Sequence, residues 1–312
     1  MQTGLPLPLQ LPIPGVSLGI LFMAAFALIA PMMDSFAKLI GDALPVAQVA
    51  AIRFFAQAVL LTPLAAVMGW LHWPDRAEAA LHLVRAGFLL VATGCFFYAL
   101  QFMAVADAIA IFFVEPFILT LLGGLLLGEA IGASRYIACT VGFAGALLVI
   151  RPSFQDVGAI AMLPLATAFL FAFYMILTRR MATRMHPITL QAYTGIAALV
   201  LAVPVLALLN GSGLAQFDSE WPAAREAWLL VGLGLCATIS HICISFALKF
   251  APASTIAPVQ YLEIVTATAF GFWIFGDLPD TMAFCGIALI VASGFFVFLR
   301  ERHMERQPLP QP

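Results

Sequence analysis

Ten stretches of about 20 predominantly apolar residues, each long enough to cross the hydrocarbon core of a bilayer, follow one another along the chain. They run approximately over 17-39, 46-69, 85-104, 107-127, 133-151, 158-178, 187-209, 227-248, 252-275 and 281-299. The breaks between them are short and rich in charge, Pro or Gly, so no water-soluble domain fits anywhere. Composition agrees: 63% of the residues are apolar and 10% charged, whereas a soluble domain carries about 25% charged residues. Fourteen basic and sixteen acidic side chains cannot coat a soluble fold of 312 residues, while lipid solvates apolar side chains directly. The formal charge of −2 gives no hint of a nucleic-acid partner. The expected fold is therefore an all-α polytopic membrane protein.

Charge placement predicts its orientation. With the N-terminus in the cytoplasm, Arg76, Arg85, Arg135, Arg179, Arg180, Arg184, Lys249, Arg300, Arg302 and Arg306 lie inside. Lys38, Arg151 and Arg225 lie outside, and Arg53 lies within the membrane. This positive-inside bias predicts that both termini are cytoplasmic. The segment 1-15 is Pro-rich, has no basic n-region and no small-residue cleavage site, and reads as a disordered tail rather than a signal peptide. Residues 301-312 read as a cytoplasmic tail. The five cysteines all fall in apolar segments without a C-x-x-C pair and read as small packing residues.

A repeat emerges at a constant shift of 148 residues. Tyr98-Ala99-Leu100-Gln101-Phe102 then meets Phe246-Ala247-Leu248-Lys249-Phe250, Glu115 meets Glu263, and Gly128-Glu129 meets Gly276-Asp277. Five spans per copy is an odd number, so the second copy, 153-300, must enter the membrane in the opposite sense from the first, 16-152. That is the inverted symmetry of secondary transporters.

Several runs carry a family resemblance: Met33-Asp34-Ser35-Phe36-Ala37-Lys38, Arg53-Phe54, Ala106-Asp107-Ala108-Ile109-Ala110 and Leu125-Leu126-Leu127-Gly128-Glu129 in the first half. In the second they are Ile176-Leu177-Thr178-Arg179-Arg180, Leu248 to Ser254, and Val291-Ala292-Ser293-Gly294. Through these the chain resembles the EamA type of the drug/metabolite transporter superfamily over nearly its whole length after residue 15. The resemblance implies ten transmembrane helices in two inverted five-helix repeats, and a secondary transporter of the bacterial inner membrane. Similar members move riboflavin, S-adenosylmethionine, amino acids or opine-type metal chelators, some inward and some outward. Riboflavin uptake is the specific expectation it suggests, with export of amino acids or of chelating metabolites as the alternative. Two departures stand out: Glu115 precedes Pro116 where many relatives are apolar, and the second Gly-Glu motif ends in Asp277.

Ionisable groups inside the hydrocarbon cost about 2.5 to 3.5 kcal/mol each on insertion scales, so each calls for a partner or a watery hollow. Asp34 and Lys38 share one face of the first span, and Arg53 lies at a depth similar to Asp34. An Asp34–Arg53 bridge would either fix helix register or bind a charged substrate group. Glu115 stands at mid-depth of the fourth span, and Pro116 removes a backbone donor there, so a local opening of the helix is expected. Glu263 takes the related depth in the ninth span, beside Pro258 and Gln260. Glu115 and Glu263 are the leading candidates for substrate binding or for holding a coupling proton. His241, Gln260, Tyr98, Asp34 and Arg53 follow. His241 has no second His or Cys at ligand spacing, so no metal and no cofactor is expected. Gln191, Tyr193, Tyr261 and Gln101 are further polar positions, and Phe96-Phe97, Phe112-Phe113 and Phe117 either stack on a planar substrate or pack in the ordinary way. The path is expected to be lined by the third, fourth, eighth and ninth spans and the first span of each half.

No metalloprotease, nucleophile-elbow or P-loop motif is present, and the loops are too short for an aqueous catalytic site, which argues against an enzyme and an ATP-driven pump. A channel is disfavoured because a single-chain inverted repeat suits alternating access. The expected partners are a small-molecule substrate, the lipid bilayer and a coupling proton, with the chain a monomer or homodimer.

Overall fold

The computed structural model of the protein describes residues 15–103, 105–129, 132–150, 158–276 and 281–306. The first half holds α1 (Gly15–Ile40), α2 (Val46–Val67), α3 (Arg76–Leu100), α4 (Val105–Phe112), α5 (Glu115–Leu127) and α6 (Ala133–Ile150). The second holds α7 (Met162–Ala182, preceded by the 3-10 turn Gly158–Ala161), α8 (Pro187–Leu209), α9 (Ala224–Phe250), α10 (Ala253–Ile256), α11 (Leu262–Phe270) and α12 (Thr281–Arg306). Six of these, α1, α2, α3, α7 with its leading turn, α8 and α9, are each long and apolar enough to cross a membrane alone. The other four crossings are α4 with α5, α6, α10 with α11, and α12. Residues 1-14, Arg151, Asp277 and 307-312, for which the sequence raised expectations, lie outside the described residues.

The fourth and ninth crossings are both broken, for local reasons. Pro116 has no amide hydrogen to donate, and α4 stops at Phe112 before α5 begins at Glu115. In the ninth crossing the 3-10 turn Ala257–Val259 contains Pro258 and separates α10 from α11. The 148-residue register is visible in the element bounds. Arg76 and Ala224 open α3 and α9, Val105 and Ala253 open α4 and α10, and Ala133 and Thr281 open α6 and α12. Gly128 and Gly276 end the broken crossings with φ of 67° and 79°, a left-handed geometry that a side chain would strain.

The two halves interlock. α1 packs most extensively on α9, α2 on α8, α3 on α7, and α6 on α12. Small residues set these distances: a Cβ at Gly19 would stand 2.5 Å from that of Ala251. One at Gly195 would lie 2.8 Å from the amide nitrogen of Ala58. Such close approach is how helices gain packing where lipid removes the hydrophobic drive to associate. The outer faces carry exposed Leu28, Leu125 and Leu208, as a lipid-solvated surface should, while Trp73 and Trp221 are almost fully exposed in the loops at helix ends, where indoles anchor at a bilayer interface.

At one end Glu129, just past α5, reaches across to the second half. Its carboxylate accepts from the amides of Ala253 (2.9 Å) and Ser254 (3.0 Å) and from the Ser254 hydroxyl (2.7 Å). Arg135 also donates to that hydroxyl at 3.0 Å, and Arg179 donates to the carbonyl of Lys249. The start of the broken ninth crossing is thus pinned by the end of the broken fourth.

Candidate functional site

A cavity of about 70 Å³ lies where α1, α2, α3, α4, α7, α9 and α11 meet. Its size admits roughly two waters at about 30 Å³ each. A pocket for a drug-sized ligand spans about 300 to 1,000 Å³, and a metabolite would need a wider state. Phe26, Phe96, Phe97, Phe112 and Phe171 wall the cavity, and Asp34, Arg53, Thr93, Thr167, His241 and Glu263 are its polar lining residues.

Four of the sequence-predicted residues therefore share one chamber: Asp34, Arg53, His241 and Glu263. Their expected pairing is different. Arg53 does not bridge to Asp34: its guanidinium donates to Thr93 Oγ1 through Nη1 and to His241 Nε2 through Nη2 at 2.7 Å. The imidazole tautomer follows from its surroundings. Nδ1 faces the Ala237 carbonyl at 3.1 Å and carries the hydrogen, which leaves Nε2 to accept. Asp34 is 5% exposed and has no hydrogen-bond or ion-pair partner among the described residues. Lys38 turns the other way and donates to the carbonyls of Leu100 and Met103 at 3.1 and 2.7 Å.

Glu115 and Gln260 lie beside the chamber rather than in its wall. The Glu115 carboxyl is fully buried next to the Gln260 side chain, and neither of its oxygens reaches a donor in hydrogen-bond geometry. Gln260 Oε1 and Glu263 Oε1 are likewise unsatisfied, and Gln260 Nε2 contacts the Met175 sulfur at 3.8 Å. Glu263 feels the charges of both Asp34 and Glu115. Each such orphan costs about 1 to 3 kcal/mol. Their concentration at the two helix breaks is a feature that folding alone does not account for.

Tyr98 does not join them. It lines a separate, open apolar groove of about 440 Å³ with Val91, Gly94 and Cys95. The reason is helical phase: Leu89, Ala92, Thr93, Phe96 and Phe97 face the cavity at spacings of three and four, which turns Tyr98 to the opposite side. Arg85, counted among the cytoplasmic charges, is also relocated. α3 begins at Arg76, nine residues earlier than expected, and Arg85 is fully buried, donating to Thr178 Oγ1 (3.1 Å), the Leu190 carbonyl (2.6 Å) and Thr194 Oγ1. Its guanidinium lies 5.5 Å from the Tyr174 ring centre.

A polar network centred on Gln191, whose partners the sequence did not reveal, underlies the cavity. Gln191 Nε2 lies within reach of Tyr174 Oη (2.8 Å), Ser245 Oγ (2.5 Å) and the His241 carbonyl (3.1 Å), and Gln57 donates to Gln191 (2.8 Å). Two signals for it were present. Gln57 stands one turn after Arg53, and Thr93 is the 148-residue counterpart of His241.

Comparison with known proteins now decides the kinship, because the EamA-like transporter family model matches twice, at 17–151 and 158–299. The chain belongs to the EamA-like transporter family. The family's two copies coincide with the two halves that meet at the cavity. The riboflavin transporter of Vibrio cholerae is 26% identical over 293 residues, covering 93% of this chain and 95% of that protein. The S-adenosylmethionine uptake transporter of Rickettsia bellii is 24% identical over 271 residues, 86% of this chain and 89% of its own. The pseudopaline exporter CntI of Pseudomonas aeruginosa is 25% identical over 281 residues, 89% and 94% of the two chains. A crystal structure superposes with a TM-score of 0.70 at 19% identity, over 93% of this chain and 97% of that one, so the fold is shared. This EamA-family protein is accordingly a multi-pass membrane transporter of ten crossings in two inverted repeats.

Proposed function

We propose that this transporter carries a small organic metabolite by alternating access through the cavity between its two halves, and that riboflavin import is the first substrate to test. The observation that carries the reading is the placement of Asp34, Arg53, His241 and Glu263 in one aromatic-walled chamber beside two broken helices. Broken helices supply backbone polar atoms at mid-membrane, where transporters bind their cargo. The phenylalanine walls suit a planar ring system. Relatives named as riboflavin transporters support the vitamin as the candidate. Asp34, Arg53, Glu263 and His241 are proposed to contact substrate, with Glu115 and Gln260 contributing when the chamber widens and Glu115 or Glu263 holding a coupling proton. The cavity is complete within one chain, so a monomer suffices. The bacterial relatives support an inner-membrane location, and the positive-inside bias supports both ends being cytoplasmic.

The test is growth of a riboflavin-auxotrophic bacterium at limiting vitamin. The wild-type chain is expected to rescue growth, and Asp34→Asn with Glu263→Gln to abolish rescue. Absence of rescue by wild-type protein shown to reside in the membrane discards riboflavin import.

One observation favours a second reading. Around the cavity, three carboxylates (Asp34, Glu115 and Glu263) stand against the single guanidinium of Arg53, and the orphaned atoms of the acids are acceptors. That surplus suits a cationic or amine-bearing metabolite, the class to which S-adenosylmethionine belongs. Competition of labelled riboflavin uptake by that compound separates the two readings.

A further inference from the structure

We propose that Thr93 and His241 form a clamp whose task is to hold Arg53 away from Asp34, keeping the Asp34 carboxylate unpaired and open to a cationic group or a proton.

Arg53 leaves its nearest charged partner unused. A fully buried guanidinium and a buried carboxylate lining one small cavity should pair, because charge-assisted bonds are the strongest polar contacts available in a dry interior. Here they do not. Two of the Arg53 nitrogens are instead held by uncharged acceptors, Nη1 on Thr93 Oγ1 and Nη2 on His241 Nε2 at 2.7 Å, while the buried Nε has no partner among the described residues. Both positions are buried: Thr93 is 5% exposed and His241 2%. The imidazole is locked for this task, with Nδ1 on the Ala237 carbonyl, its own carbonyl accepting from Gln191, and Phe26, Phe171 and Tyr174 around the ring.

The clamp also has a symmetric design. Thr93 on α3 and His241 on α9 differ by 148, the register that relates the two halves, so each repeat contributes one jaw at the same position of its third crossing. A structural ion pair needs no such arrangement. A site that must exchange ligands does, because a carboxylate already paired with Arg53 has its charge neutralised and keeps little affinity for a cation or a proton. The groups facing Asp34 and His241 from the surrounding helices are Arg53 on α2, Glu263 on α11, Tyr174 on α7 and Arg85 on α3. Of these, Arg53 is the cation that feels the Asp34 charge, and therefore the one the clamp restrains. Thr93 and His241 are thus positioning residues, acting on the site through Arg53. This rests on the reading of the cavity as the substrate chamber.

The test needs no substrate, so its failure is distinguishable from failure of the riboflavin assay. Dicyclohexylcarbodiimide enters membranes and modifies protonated carboxyl groups in apolar surroundings, whereas a carboxylate paired with arginine stays ionised and is spared. The full-length protein in detergent is treated with the reagent, and adducts at Asp34, Glu115 and Glu263 are quantified separately by peptide mass spectrometry. Asp34 of the wild type is expected to react. In the Thr93→Val/His241→Leu variant Arg53 is released onto Asp34, and the Asp34 adduct is expected to fall about ten-fold, the effect of one charge-assisted bond on a two-state equilibrium. His241→Asn, which keeps a side-chain acceptor, should restore part of the reactivity when combined with Thr93→Val. Where the double variant does not fold, Thr93→Val alone, nearly isosteric, is read in its place and should lower the adduct by a smaller factor. Unchanged Asp34 labelling in a variant that melts cooperatively overturns the proposal. An unreactive Asp34 in the wild type overturns it as well.

Discussion

Replacing Glu129 by Gln should open the transporter at the end where Glu129 sits. The carboxylate bonds two amides and one hydroxyl at 2.7 to 3.0 Å across the two halves, and its side chain is 10% exposed. The amide retains one acceptor oxygen, so at least one charge-assisted bond is lost, worth about 1.5 to 3 kcal/mol. A tenfold change in an equilibrium corresponds to about 1.4 kcal/mol. If the pin is broken in the open state, the open population rises about 10- to 100-fold. The reporter is a single cysteine at Ala30, a cavity-lining residue that is 4% exposed, in a background lacking the five native cysteines. Inside-out vesicles expose the Glu129 face, on the orientation proposed here, to a membrane-impermeant maleimide. The variant is expected to label at least about tenfold faster than its parent, with Glu129→Asp between them. Equal rates in two proteins of equal melting temperature would refute the reasoning, because they would show that the pin contributes nothing to closure.

Other expected outcomes follow from local geometry. Glu115→Gln replaces a buried carboxyl group with two unsatisfied oxygens, so it should raise the melting temperature while lowering uptake, the trade expected where a site stores strain. Both are read on one preparation by a thermal shift and a flux assay. Gly19→Val drives a side chain into Ala251 and should cost about 1 to 3 kcal/mol, seen as loss of the monodisperse peak in size-exclusion chromatography. Gly94→Ala has nothing within 4 Å of the new methyl and should be tolerated. Tyr98→Phe, outside the chamber, should leave the half-saturating substrate concentration unchanged, whereas Phe171→Ala, in its wall, should raise it several-fold in the same uptake measurement.

Much of the architecture was legible because lipid imposes a strict code. Length and hydropathy gave the crossings. The 148-residue shift revealed the repeat, and Pro116 and Pro258 marked both helix breaks. The site was read only in part. Asp34, Arg53, His241 and Glu263 were found because ionisable side chains in hydrocarbon are conspicuous. Their partners were not, since Arg53 had three nearby acceptors and the choice of Thr93 and His241 over Asp34 depends on how α3 and α9 are rotated. Tyr98 shows the same gap: depth can be read from position in a span, but facing needs the helix's phase. Arg85 was misplaced because α3 begins with polar residues that resemble a loop until Asp75 caps it by accepting from the Glu78 amide at 2.8 Å.

Two-sided accessibility of the cysteine at Ala30 tests the central claim most directly. A chamber that opens alternately should let an impermeant maleimide reach this one residue from either face of the membrane, in right-side-out and in inside-out vesicles, without measurable ionic conductance. Labelling from neither face, or a steady conductance through reconstituted bilayers, would contradict the account.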